Sequence, residues 1–217
     1  IIVGAQTSLA ISACVVMVSM IVGGTSGIVA GYLGGWTSTI IMRLTDVIFS
    51  FPSLLMALIV LYILGPSILN VIMVLSITRL PIYIRTTRAE VLEIRERMFV
   101  SAARALGVST PAILLRHILP VVFPTIITIG AVDFASVLLS ESGLSFLGLG
   151  IQPPDFTWGA MVATGRAYLQ TAWWLSFWPG LMIMLATLSL NLLANWARVA
   201  GDPQQRRRLQ GRRRRQP

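Results

Sequence analysis

The chain has 217 residues, 55% hydrophobic and only 12% charged, with a mean hydropathy of +0.80. A soluble domain carries about 25% charged residues, so this composition excludes one and describes an all-α integral membrane protein. The net charge of +9 comes from 17 basic residues, all arginine; a Walker A phosphate loop, which needs its lysine, is therefore excluded.

We read five spans in chain order, each an apolar run near the length of about 20 residues that crosses a bilayer as a helix. The first covers residues 8–34. It has no positively charged n-region and no cleavage site, so it is not a signal peptide, and its start close to Ile1 leads us to expect sequence upstream. Gly23, Gly27 and Gly31 recur every fourth residue, the small-residue spacing that lets two helix backbones approach closely. The second span is expected over 47–64, opening at FPSLL, and the third over 67–84 after a short LGPS turn. The fourth covers 120–140 and the fifth 174–197, with Pro52 and Pro179 near span ends, where a missing donor matters least. Trp158, Trp173, Trp174 and Trp178 read as interfacial anchors.

Arginine sets the orientation. Segment 85–119 holds Arg85, Arg88, Arg95, Arg97, Arg104 and Arg116, segment 35–46 holds Arg43, and the tail reads RRRLQGRRRR. Segment 141–173 holds only Arg166. The positive-inside rule places the arginine-rich segments and the C-terminus in the cytoplasm and the start of the chain outside. It also explains the basic charge better than nucleic acid binding does. Residues 1–200 then form one membrane domain and 201–217 a basic tail, read either as an anchor on anionic lipid or as a contact with a cytoplasmic partner.

Few residues suggest chemistry. Cys14 and His117 are the single cysteine and histidine, so neither a disulfide nor a metal cluster is expected. No Ser/His/acid set or paired carboxylate is legible, and a catalytic site is not expected. Asp133, Glu141 and Asn191 lie in or at the end of spans, where polar residues either bond neighbouring helices or line a translocation path. For Asp133 the path reading has it meeting an amino group of the cargo.

The most unusual stretch is SAARALGVSTPAILLRHILP, residues 101–120, in the third polar segment. We expect one helix over 91–106, with Val91, Ile94, Met98 and Ala102 on an apolar stripe. Gly107 fits a left-handed C′ position, and Ser109 or Thr110 before Pro111 marks a new helix with a hydroxyl cap. Such a loop can dock in a partner's groove or lie on the inner leaflet; the residues alone leave both open.

This stretch resembles the EAA loop of ATP-binding-cassette (ABC) importer permeases: EAA, three residues, Gly, nine residues, Ile-x-Leu-Pro. Ser101, Ala102 and Ala103 stand at the EAA place, Gly107 at the glycine, and Leu119 and Pro120 at the end. Ser101 replaces the glutamate and His117 the isoleucine. AGYLGGW, RLTDVIFSFPSLL, LGPSILNVI and LSFLGLGIQPPDFTWGAM further resemble the dipeptide/oligopeptide/nickel branch, and within it the second of two paired permeases.

The resemblance implies a type I importer membrane domain, normally with six spans, the first lying before Ile1. It also implies the partners: a homologous permease, two cytoplasmic ATPase subunits that bind ATP and Mg, and an external substrate-binding protein. The loop 101–120 would be the coupling helix. With the glutamate gone, docking would lean on packing and on Arg104. The cargo implied is a di- or oligopeptide, or within the same fold nickel, glutathione or haem. A gradient-driven transporter is the alternative from another class, for which one expects broken helices at the membrane midplane or rings of charge; the sequence shows only an isolated Asp133.

Overall fold

The computed structural model describes residues 1–201, with side chains placed through Trp196. The basic tail, including Arg212 to Arg215, lies outside the described residues. Among the described residues the structure is helical throughout: α1 (Ile2–Leu33), α2 (Gly35–Phe49), α3 (Ser53–Leu64), α4 (Ile68–Ile94), α5 (Met98–Ala105), α6 (Thr110–Ile113), α7 (Leu119–Phe146), α8 (Trp158–Gly165), α9 (Leu169–Ala172) and α10 (Trp174–Gly201). Four stretches are long and apolar enough to cross a membrane, and the bent pair α2–α3 can supply a fifth.

The glycine ladder of α1 is the central seam. A β-carbon at Gly23, Gly27 or Gly31 would lie 2.7 Å from the Cβ of Tyr83, Thr87 or Val91 of α4. The two ladders rise together, so α1 and α4 run parallel and touch backbone to backbone, as the small-residue spacing predicts. Parallel spans one and three agree with the alternation read from arginine.

The second span departs from expectation. The stretch 35–49, read mostly as a polar connection, is the helix α2, and α3 turns away from it by 85°. Pro52 is the reason: it starts α3 without donating a hydrogen bond, and it disfavours helical geometry at Phe51. The 12 residues of α3 reach about 18 Å, short of the ~30 Å hydrocarbon core. So the second span is a broken helix, a feature that the apolar pattern alone does not reveal. The LGPS turn behaves as expected: Gly65 takes φ +81, and Ser67 caps α4 by accepting from the Asn70 N–H at 3.1 Å.

α4 continues ten residues beyond the expected end of span three, to Ile94, and breaks at Arg95–Arg97, so the expected single helix over 91–106 is two. Arg95 reaches back to donate to the Gly31 carbonyl at 3.1 Å, covering the otherwise unpaired end of α1. The break re-aims the stripe. Val91 and Ile94 are buried as expected, but Val100 and Ala103 replace Met98 and Ala102 on the inner face.

Span four is also longer than expected, since helix runs with little interruption from Thr110 to Phe146. Pro120 cannot donate to the carbonyl four residues back, and Leu114–Ile118 form a π turn in which the Leu119 N–H bonds the Leu114 carbonyl. The extra residue lets Ile113 and Ile118, five apart, both enter the core beside Val122 and Ile126. Ser109 sits at the N-cap of α6, but its hydroxyl makes no capping bond.

Candidate functional site: the coupling loop and the mid-membrane polar strip

α5 ends in a Schellman turn. The Gly107 N–H bonds the Arg104 carbonyl at 3.1 Å and the Val108 N–H bonds the Ala103 carbonyl at 3.1 Å, with Gly107 at φ +77. Val108 packs on the cluster of Val100, Ala103, Ile113 and Ile118, closing the corner on its inner side. The outer side is left apolar and open: Met98 is 88% exposed, Leu106 84%, and Ser101, Ala102 and Ala105 are exposed between them. Arg104 is exposed and lies over the Tyr32 ring, 5.5 Å from its centroid. Leu119 is half-buried and Pro120 exposed. The EAA-like residues thus divide into Ala103, which anchors the corner, and Ser101, Ala102 and the flanking Met98 and Leu106, which face away.

The span residues fall in three different places. Asp133 is 5% exposed; it accepts from the Tyr83 hydroxyl at 3.2 Å and pairs with Arg79 at 3.5 Å. It is not isolated. Arg79 also donates to the Ser140 hydroxyl at 2.7 Å and the Ser136 carbonyl at 3.3 Å, so one guanidinium ties α4 to α7. Glu141 is fully buried and accepts from the Ser145 hydroxyl at 2.8 Å and the Ser142 hydroxyl at 3.5 Å. Asn191 is exposed on α10, apart from both. Trp158 is buried, its backbone N–H on Ser8 at 3.1 Å and its indole on the Ile1 carbonyl at 3.1 Å, and so is no interfacial anchor. Trp173, Trp174 and Trp178 are exposed as expected.

Arg79 is a site residue that the sequence pattern does not single out. It stands at the edge of a run of arginines explained by orientation. Yet it lies 11 residues inside α4, about 16 Å from the helix start, too deep for that explanation. An Arg and an Asp both inside apolar spans was the available signal.

The loop is glycine-cornered, turned outward, and joined to an apolar span on each side. Residues 23–207 match the family model of the binding-protein-dependent transport system inner membrane component. The chain belongs to that family, the ABC importer permeases. Among its relatives, the di/tripeptide transport system permease protein DppC of Pseudomonas aeruginosa is 39% identical over 200 residues, 92% of this chain and 66% of that protein. The probable D,D-dipeptide transport system permease protein DdpC of Escherichia coli is 36% identical over 94% of this chain and 68% of that protein. The E. coli glutathione transport system permease protein GsiD is 40% identical over 94% and 67%. The permease spans about two thirds of the length of these relatives. Its fold is that of the MetNI methionine ABC transporter in inward-facing conformations, with a TM-score of 0.72 at 14% identity over 92% of this chain and 95% of that one.

Proposed function

We infer that this permease forms one half of the translocation pathway of an ABC importer for small peptides and carries the stroke of a cytoplasmic ATPase to its spans through the loop around Gly107. The observation that carries this is the loop itself. Its inner face is fastened to α1 and α7 by Val100, Ala103, Val108 and Ile113, while Met98, Ala102 and Leu106 stand in the open. The loop is continuous with α4 through one tight turn and with α7 through a π turn, so a push on it moves two spans rather than bending a tether.

The family implies the partners: a second, homologous permease, two ATPases that hold ATP and Mg and perform the hydrolysis, and an external binding protein that delivers cargo. The setting is the bacterial inner membrane, with the start of this chain outside and its C-terminus in the cytoplasm. The arginine distribution and the parallel packing of α1 and α4 support that orientation. The glutathione permeases among the relatives favour a second cargo of the same kind, a tripeptide-like thiol.

The test is affinity recovery of the permease from its native membranes in mild detergent, with reconstitution afterwards. Co-recovery of P-loop ATPases and a second permease, with peptide uptake driven by ATP and insensitive to ionophores, is the expected result. Recovery of the chain alone, or uptake driven by an ion gradient, overturns the reading.

A further inference from the structure

The α2–α3 break lies at membrane depth, and that constrains what it faces. The start of α3 (Ser53, Leu54 and Ala57) borders a narrow crevice shared with Leu75, Thr78 and Arg79 of α4 and Ser140 of α7. Arg79 lies about 16 Å from the outer end of α4, so the start of α3 is near the middle of a ~30 Å core. The Met56 N–H is the first in α3 to find a backbone partner, the Pro52 carbonyl, and no side chain caps the N–H groups before it.

Ser50, Phe51, Pro52, Ser53 and Leu54 are all exposed on the surface of the chain. Unpaired backbone at this depth is tolerated only inside protein or along a water-filled cavity, never against lipid. Ser136 is exposed beside it, Ser140 half-buried, and Arg79 retains 22% of its side-chain surface. These groups bond one another across α4 and α7, and the surface they leave open is polar, which suits an aqueous path better than lipid.

The electrostatics give the strip a sign. Asp133 neutralises Arg79 but is itself covered, at 5% exposure, behind Tyr83. Arg79 keeps 22% of its side-chain surface, and the uncapped start of α3 brings the positive end of a helix dipole beside it. An anion is the complement, and a guanidinium with hydroxyls around it suits a carboxylate.

We propose that Arg79, with Ser140, Ser136 and the first turn of α3, forms a subsite in the translocation path that receives the C-terminal carboxylate of a peptide in transit, while Asp133 positions Arg79 from behind. This rests on the reading of the chain as a peptide permease. It reverses the role expected for Asp133: the cargo's acid meets Arg79, and Asp133 meets no amino group.

The experiment uses the assembled transporter in proteoliposomes, with the binding protein saturated in turn by a labelled dipeptide and by its C-terminal amide. Wild type should import the free acid roughly tenfold faster than the amide, the scale of one charge-assisted hydrogen bond. Arg79→Gln should bring that ratio close to one, and Arg79→Lys should restore part of it. Because Arg79→Gln strands a buried Asp133, the double variant Arg79→Gln with Asp133→Asn is measured beside it, and its ratio should also be close to one. Wild type treating acid and amide alike overturns the subsite, as does a variant that slows both cargoes equally and keeps the ratio. Wild type importing neither, with ATPases attached, overturns the peptide reading and this assignment with it.

Discussion

The two ends of the membrane domain are built on opposite plans. At the end that holds segment 147–165, the chain is fastened by buried polar groups. Glu141 accepts from Ser142 and Ser145 of α7, Ser145 accepts the Ile151 N–H at 3.2 Å, and the Trp158 N–H reaches Ser8 of α1. Gly159 presses α8 onto the Ser142 backbone so closely that any side chain there would strike it. At the opposite end the loop around Gly107 is held by aliphatic contacts and one Schellman corner, and its large side chains Met98 and Leu106 are turned outward. A network of hydrogen bonds is directional and resists rearrangement, whereas an apolar seat allows small slides. One end is fixed by directional bonds while the other leaves an apolar face open.

The largest effect on folding should come from breaking the polar plan. Glu141→Ala leaves the buried Ser142 and Ser145 hydroxyls without their acceptor and should cost about 2–3 kcal/mol. Thermal unfolding in detergent should show a clearly lowered midpoint, with early protease nicking between residues 147 and 157. Glu141→Gln, which keeps one acceptor oxygen, should lose less. Equal midpoints for wild type and Glu141→Ala would remove the polar network as the fastening of this end.

Second comes the seam on which both ends stand. A methyl at Gly27 would meet Thr87 Cβ at 2.7 Å and the Ile84 carbonyl at 2.8 Å, and a carbonyl cannot swing aside. Gly27→Ala should therefore cost about 1–3 kcal/mol through overpacking, read from the same unfolding midpoint. A midpoint within error of wild type would mean that α1 and α4 separate freely.

Third is the corner. Nothing lies within 4 Å of a β-carbon placed on Gly107, so the cost of a side chain there is purely conformational. Gly107→Val should lose about 1–2 kcal/mol, mostly as local fraying of α5, and should weaken ATPase recovery. Gly107→Asn, which tolerates φ +77, should recover most of both. Equal behaviour of the two variants would show that the left-handed turn is not what holds the loop.

Much of this was legible in the residues, and the failures have common causes. The glycine ladder, the left-handed Gly107 and the LGPS turn were readable because each depends on a few neighbouring residues. The break at Arg95 was not, because its cause is a carbonyl at Gly31, 64 residues away. The helix α2 was hidden by Arg43 and Asp46, which make 35–46 read as a polar connection, and only Pro52 marks its corner with α3. The burial of Trp158 likewise depends on Ser8, 150 residues distant. Arg79 and Asp133 could be seen singly but not as a pair, since nothing in one sequence reports which faces of two spans meet.

The smallest effect on folding is expected where the two plans differ most. Met98 is 88% exposed and makes no part of the core, so Met98→Asp should leave the unfolding midpoint within error of wild type. The same substitution puts a charge into the middle of an apolar docking face and should abolish recovery of the ATPases in a detergent pull-down, because an unpaired charge in a dry interface has no compensation. Leu106→Asp should repeat the result from the other side of α5. The pairing of readouts is what gives this test its force. Stability lost without loss of recovery would place Met98 in the fold, and recovery retained with stability intact would leave the exposed face without a partner. Stability intact with recovery lost is the outcome that a push-receiving loop requires.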